Sequence, residues 1–316
     1  MADVHFNPNV ADVAAKYVEK VRINPGNYVD PARTFKELEY TDAEYADEIE
    51  KIRRRFIPFL EICKENKTAI RIGVNHGSLS DRIMCRYGNT PEGMVESCME
   101  FLRICVEQNF TDVVLSIKAS NTTVMVQTVR LLVKQMDKEN MSFPIHLGVT
   151  EAGEGEDGRI KSAVGIGALL GEGIGDTIRV SLSEAPEREI PVAVKLVEYA
   201  EESATKRAEA KAGIKDETIY LEYNEESLED LQLKAAMDAG ALLIDGFAKE
   251  LIITNSNNSI SKEQLTDTAN AILQAARIRF TKPEYISCPG CGRTLYNLEE
   301  TIAKIKQATS HLVGVK

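Results

Sequence analysis

From residue 2 to about residue 190 the chain repeats one unit: a short run dense in Val, Ile and Leu, a polar loop, then a stretch with helical apolar spacing. The runs are Ala2–Phe6, Lys20–Asn24, Ala69–Asn75, Asp112–Ser120, Pro144–Thr150 and Asp176–Leu182, with helices such as Pro91–Gln108 and Thr122–Lys138 between them. Alternation of this kind commits a chain to a parallel sheet, because parallel neighbours need a crossover of about a dozen residues or more. Six units fit either a doubly wound sheet or part of an eight-stranded barrel.

Beyond Pro191 the texture changes. Glu198–Asp216 reads as a charged, Ala-rich helix without an apolar stripe, Ser227–Ala239 as another helix, and Gly240–Phe247 as an apolar strand. Asn255–Ser259 is a loop, Glu263–Ile278 a helix, and the tail carries a Cys pair and a helix at about Asn297–Gln307. The fold class expected is α/β: a partial TIM-like (β/α) barrel over 1–195, a small inserted α/β segment over 196–282, and the start of another domain over 283–316. With 38 Lys plus Arg against 49 Asp plus Glu, the net charge of −11 argues against a nucleic-acid or anionic-membrane partner. No apolar run approaches the ~18 residues that span a bilayer, and no signal-peptide core opens the sequence. Six scattered cysteines do not make a disulfide framework, so a reducing, cytoplasmic setting is expected.

Strand ends carry the functional signal. They offer Arg22 with Asn24, Arg71 with Asn75, Lys118 with Ser120, His146 with Glu151, and Arg179 with Ser181. Parallel α/β folds build their sites at this end. Any one of these cations could be a solvated strand end, but five on successive strands of an acidic protein call for an anion. Arg suits bidentate capture of phosphate oxygens, so a phosphorylated small molecule is expected. The loops Asn24–Asn27 and Asn75–Ser78 each hold a glycine where backbone could approach that ligand, although turn chemistry alone also explains either.

Other matches fail. Gly153 and Gly158 have the spacing that opens a phosphate loop, but Arg159-Ile160 stands where Lys-Ser/Thr is required, beside Glu154, Glu156 and Asp157. Gly165, Gly167 and Gly171 fall in a predicted helix, the wrong context for a dinucleotide fingerprint. Arg53-Arg54-Arg55 reads as a solvated helix face. Cys288-Pro289-Gly290-Cys291 is specific: two thiolates at this spacing bite one metal or flank a redox disulfide. A zinc ribbon would need a second pair, an iron–sulfur cluster takes four ligands, and no Cys follows Cys291. Cys63, Cys85, Cys98 and Cys105 fall on predicted helices and read as small buried apolar residues.

Taken together, Ala2–Pro8, Lys20–Asn27, Arg71–Asn75, Ser116–Ser120, His146–Gly153, Gly173–Ser181 and Ser287–Arg293 resemble, in the same order, the 4-hydroxy-3-methylbut-2-enyl diphosphate synthase family. The resemblance covers about 1–195 and 265–316. It implies a TIM-like barrel and an iron–sulfur domain, in the large form that carries an inserted domain. It implies an oxidoreductase of the methylerythritol phosphate route to isoprenoids, opening and dehydrating 2-C-methyl-D-erythritol 2,4-cyclodiphosphate with electrons from ferredoxin or flavodoxin. By the same resemblance Arg22, Arg71, Lys118, Arg179 and Ser181 bind the diphosphate with Asn75 near it, and Cys288 and Cys291 ligate a [4Fe–4S] cluster. The family's cluster takes three Cys and one Glu, and its full-length chains pair as head-to-tail homodimers. The third Cys and the first barrel strands have no counterpart here. The expectation is therefore a chain truncated at both ends, which binds a cluster poorly and turns nothing over.

Two other readings stand beside it. One is a non-redox barrel for a phosphorylated or pterin-like ligand, with zinc on the Cys pair. The other is an inactive assembly element.

Overall fold

A computed structural model describes residues 1–30, 39–286 and 295–312. The chain divides into two compact units, Met1–Ala119 with Gln127–Leu147, and Ser120–Val126 with Gly148–Lys316.

The first unit holds strands β1 (Ala2–Asp3), β2 (Lys20–Ile23), β3 (Ala69–Asn75) and β4 (Val113–Lys118). They form a parallel sheet in simple sequence order, β1-β2-β3-β4, and a parallel bridge from Leu115 to Ile145 leads on to β5 (His146–Leu147). Sequential parallel order is the signature of a β/α barrel, whereas a doubly wound sheet reverses direction from its first strand. Helices α1 (Pro8–Ala14), α2 (Pro25–Tyr28), α3 (Asp42–Asn66), α4 (Asp81–Tyr87) and α5 (Pro91–Glu107) connect these strands, and α6 (Thr122–Lys138) follows β4. Local chemistry sets their ends. Thr41 and Glu44 close a capping box at the start of α3, and Thr90 caps α5 with Pro91 in its first turn.

Alternation along the strands sorts two faces. Val21, Ile23, Ile70, Ile72, Val74, Leu115 and Ile117 are buried on one face. Phe56, Phe59 and Phe101 pack around Tyr28, with ring centroids 5.0–6.1 Å apart. The opposite face is polar.

The second unit contains α7 (Gly155–Leu170), β6 (Thr177–Ile178), α8 (Glu189–Glu198), α9 (Ala200–Ala212), β7 (Thr218–Tyr223), α10 (Leu228–Ile244), β8 (Glu250–Asn255), α11 (Lys262–Ala275) and α12 (Leu298–Thr309). β7 and β8 pair in parallel around α10. Helix α10 lies close along α7: a Cβ on Gly167 would sit 2.5 Å from Met237, and one on Gly240 3.1 Å from Val164. This contact corrects the expected strand at Gly240–Phe247. The run is apolar because a helix buried on nearly every side has no polar stripe to betray its period. β7 and β8, which the sequence reading passed over, expose Tyr220 with Glu222, and Glu250 with Ile252 and Thr254, respectively, so each presents a mixed polar and apolar outer face.

Helix α9 does have a buried stripe, and it is mostly polar: Ser203 and Arg207, followed by Ala210. Arg207 donates to the carbonyl oxygens of Gly167 (2.8 Å), Ala168 (3.0 Å) and Met237 (3.2 Å), so it caps the end of α7. Ser203 Oγ, Tyr199 Oη and Tyr223 Oη donate to the fully buried Asp238 at 2.6–2.9 Å. Burial raises the Asp238 carboxyl above its ordinary range despite these donors. Among the described residues no helix is long and apolar enough to cross a membrane.

Candidate functional site

In-register pairing builds the polar face of the first unit. Asp3 stands opposite Arg22, Arg22 opposite Arg71, and, two pairs further along, Gly73 stands opposite Ser116 and Asn75 opposite Lys118. Ordinary barrels fill this face with Val, Ile and Leu. Here Arg22, Asn24, Ser116 and His146 are buried on it, while Arg71, Asn75 and Lys118 are partly accessible. An apolar helix side with a polar inner side is the pattern of a sheet that faces a polar ligand. The sequence-predicted residues of this unit are thus brought onto one surface.

Arg22 differs from an open cation. Its Nη1 donates to Asp3 Oδ1 (2.9 Å) and lies 2.6 Å from His5 Nε2, and its Nη2 donates to the Gly73 carbonyl (2.7 Å). Burial opposes ionisation of Asp3, but the charge and hydrogen bond of Arg22 outweigh it and hold the carboxyl well below the usual carboxylate range. Just beyond, Phe6 takes φ +63°, a strained conformation for a bulky residue.

The loops after β2 and β3 brace each other. Asn24 Nδ2 donates to Ser78 Oγ (2.9 Å), and a Cβ on Gly26 would lie 1.7 Å from the Ser78 carbonyl oxygen. Gly26 is therefore required by backbone packing between the loops, which accounts for this glycine by chain packing, the second of the two readings open for the loop. Gly77 has open space around it. Beneath them Arg82 donates to both oxygens of Glu100 (2.6 and 2.8 Å) and to Asp30 (3.2 Å), a buried ion network that the sequence reading missed. Nothing in periodicity separates Arg82 or Glu100 from surface charges.

Arg179 and Ser181 belong to the second unit. Ser181 is buried. Arg179 is half exposed, with its Nε 3.6 Å from Glu189 Oε2, and Glu189 also accepts from the Leu182 N–H (3.0 Å). Gly155 N–H and Arg159 both donate to Glu184 at 2.7 Å, so a carboxylate already fills the α7 N-terminus.

Cys288 and Cys291 lie outside the described residues. Their flanks are fastened to the first turns of α7 and its approach. Lys282 meets Asp157 (2.5 Å), Lys161 meets Glu284 (3.0 Å), and Lys306 meets Glu154 (2.8 Å). Tyr285 and Thr309 hydroxyls are 2.8 Å apart, joining the two flanks. Burial opposes the charge on Glu284, yet Lys161 and Arg277 lower its carboxyl below the ordinary value.

Cys63, Cys98 and Cys105 are buried as expected, and burial pushes the Cys63 and Cys98 thiols up to about 12. Cys85 is exposed, a correction: it sits on the outer side of the short helix α4. Among the described residues no group of three His, Cys, Asp or Glu is placed to hold a metal. The Cys-x-x-Cys pair is half of the four-ligand set that a cubane cluster takes, so the donors shown here do not by themselves complete one.

A parallel β/α sheet in barrel order defines the (β/α) barrel class, here with Arg22, Arg71 and Lys118 on its polar face, and residues 1–194 match the family model described as the GcpE TIM-barrel domain. The whole chain aligns with proteins named 4-hydroxy-3-methylbut-2-en-1-yl diphosphate synthase (flavodoxin), 48% identical to that of Phocaeicola vulgatus and 49% to that of Bacteroides thetaiotaomicron, covering 75% of each relative. A Synechococcus protein named for the ferredoxin-dependent synthase is 44% identical over all of this chain and 59% of its own length. The chain belongs to the 4-hydroxy-3-methylbut-2-en-1-yl diphosphate synthase family. The P. vulgatus alignment runs over 464 positions, 148 more than the 316 residues here, so that relative contains residues without a counterpart in this chain.

Proposed function

We propose that this chain is an oxidoreductase of isoprenoid biosynthesis that acts on 2-C-methyl-D-erythritol 2,4-cyclodiphosphate. The ring opens at the carbon–oxygen bond to phosphate, two electrons and two protons enter, one water leaves, and the linear allylic diphosphate is released. Flavodoxin or ferredoxin is the electron source, after the names of the relatives. The observation that carries the reading is full-chain similarity at 48% identity coinciding with a polar, cation-bearing sheet face where an apolar one is the rule.

In this reading Arg71, Asn75 and Lys118 bind the diphosphate, with Arg22 supplying charge beside Arg71 on the same sheet face, and the family resemblance adds Arg179 and Ser181 as diphosphate ligands. Multiple charged donors neutralise the phosphates and fix the ring, which is how positioning lowers a barrier. A [4Fe–4S] cluster supplies the electron-transfer chemistry of such enzymes, and Cys288 and Cys291 are the thiolates this chain offers toward it. The barrel 1–195, inserted segment 196–282 and cluster-domain start 283–316 are the organisation we assign, in a cytoplasmic homodimer.

Iron, sulfide and zinc content after anaerobic purification, with product analysis under reducing conditions, tests the class. Iron with sulfide and formation of the allylic diphosphate support the proposal. Zinc without sulfide, and no product, would favour a non-redox barrel.

A further inference from the structure

The environment of Arg22 is built more heavily than an anion ligand requires. Its side chain is only 7% exposed. It crosses the sheet over Gly73, where a Cβ would stand 2.4 Å from its Nε and 3.2 Å from its Cγ. Arg22 therefore reaches its place because position 73 has no side chain. At the far end its guanidinium is held by the Gly73 carbonyl and by two polar residues of β1 and its exit, Asp3 and His5. Arginine can only donate, so the 2.6 Å contact assigns the Nε2 lone pair of His5 to Arg22. Of five guanidinium hydrogens, Nε–H and one on Nη2 are left.

We propose that Asp3 and His5 are positioning residues which, together with the gap at Gly73, lock Arg22 as a preset cation of the polar sheet face, and that anion affinity at this face depends on the lock. A fixed charge costs no reorganisation when the anion arrives, whereas a loose arginine must lose rotamer freedom on binding. The proposal takes its ligand class from the diphosphate reading, while the lock itself is a property of the ligand-free chain.

The two effects of Asp3 have opposite signs, which makes the test decisive. Asp3→Ala removes a negative charge, so charge bookkeeping alone predicts tighter anion binding. Loss of the lock predicts weaker binding. Isothermal titration of the full chain with inorganic pyrophosphate is expected to show affinity falling about ten-fold in Asp3→Ala. Asp3→Asn keeps an acceptor oxygen and should stay within about three-fold of the parent. Gly73→Ala changes no charge and should weaken binding like Asp3→Ala, which guards against a folding defect in either single variant. Unchanged or tighter binding in Asp3→Ala and Gly73→Ala overturns the proposal.

If the parent chain itself ignores pyrophosphate, the diphosphate reading falls. The lock is then judged by the nitrogen-15 resonances of Arg22. Resolved Nη signals in the parent and Asp3→Asn but collapsed ones in Asp3→Ala uphold it, and signals indifferent to the substitution refute it.

Discussion

The two units each bury arginine among polar groups, and they do so to different ends. In the second unit Arg207 spends its donors on three carbonyls at the end of α7 and in α10, and Asp238 takes hydroxyls from three neighbours. These contacts lie within the buried interior of the second unit. In the first unit the polar row continues from the fixed Arg22 to Arg71, Asn75 and Lys118, which stay partly accessible at the ends of β3 and β4. A buried charge points to function when the polar row that holds it runs on to partly accessible residues. Burial and residue type do not distinguish the two cases; the direction in which the row remains open does.

Breaking this buried network should give the largest loss of stability. Arg207→Met strips the side-chain donor from the Ala168 carbonyl and the second donors from Gly167 and Met237, and is expected to cost about 2–3 kcal/mol in urea unfolding, while pyrophosphate affinity stays within about two-fold of the parent. A large affinity loss there would erase the contrast between the units. On the open face the pattern reverses. Lys118→Met or Arg71→Met should weaken pyrophosphate binding by about 10–100-fold and move the unfolding midpoint little, read by calorimetry beside thermal melts.

The pH dependence sharpens the comparison within the second unit. Glu284 titrates below its ordinary value, so its contribution is present above the normal carboxylate range and is lost as pH falls through the lowered folded value. Glu284→Gln should cost about 1–2 kcal/mol at neutral pH and nothing in acid. Asp238 is raised, so the sign inverts: its contribution is full below the ordinary value and declines as pH rises through the folded one. The stability of the parent relative to Asp238→Asn should therefore decrease with rising pH across that window. Parallel pH curves for the two variants would contradict the assignment. Smallest of all, Arg54→Ala on the solvated side of α3 should change stability by less than about 0.5 kcal/mol.

Much of this was legible in the sequence, and the reason is periodicity. Six short β-branched runs separated by helical spacing mark the parallel strands, and Thr122–Lys138 is a helix with the bounds its pattern predicts. The functional strand ends were legible because cations recur on consecutive runs. What escaped notice lacked a period or carried the wrong polarity. The stripe of α9 is mostly polar, so it reads as no stripe at all. The end of α10 at Gly240–Leu243 is buried and apolar on every side, so its length was divided wrongly between helix and strand. Asp3, His5 and Gly73 were visible, but only pairing shows that they surround Arg22. A polar-apolar alternation in Ala2-Asp3-Val4-His5 was the available signal, since it breaks the apolar rule for one strand face.

The most direct measurement is calorimetric titration of the intact chain with 2-C-methyl-D-erythritol 2,4-cyclodiphosphate, in parallel with Arg71→Met and Lys118→Met. The account predicts saturable one-to-one binding by the parent, weakening at least about ten-fold in each variant. Binding of undiminished affinity in both variants, or no binding by a folded parent, would contradict the claim that the polar face of the first sheet is the diphosphate site.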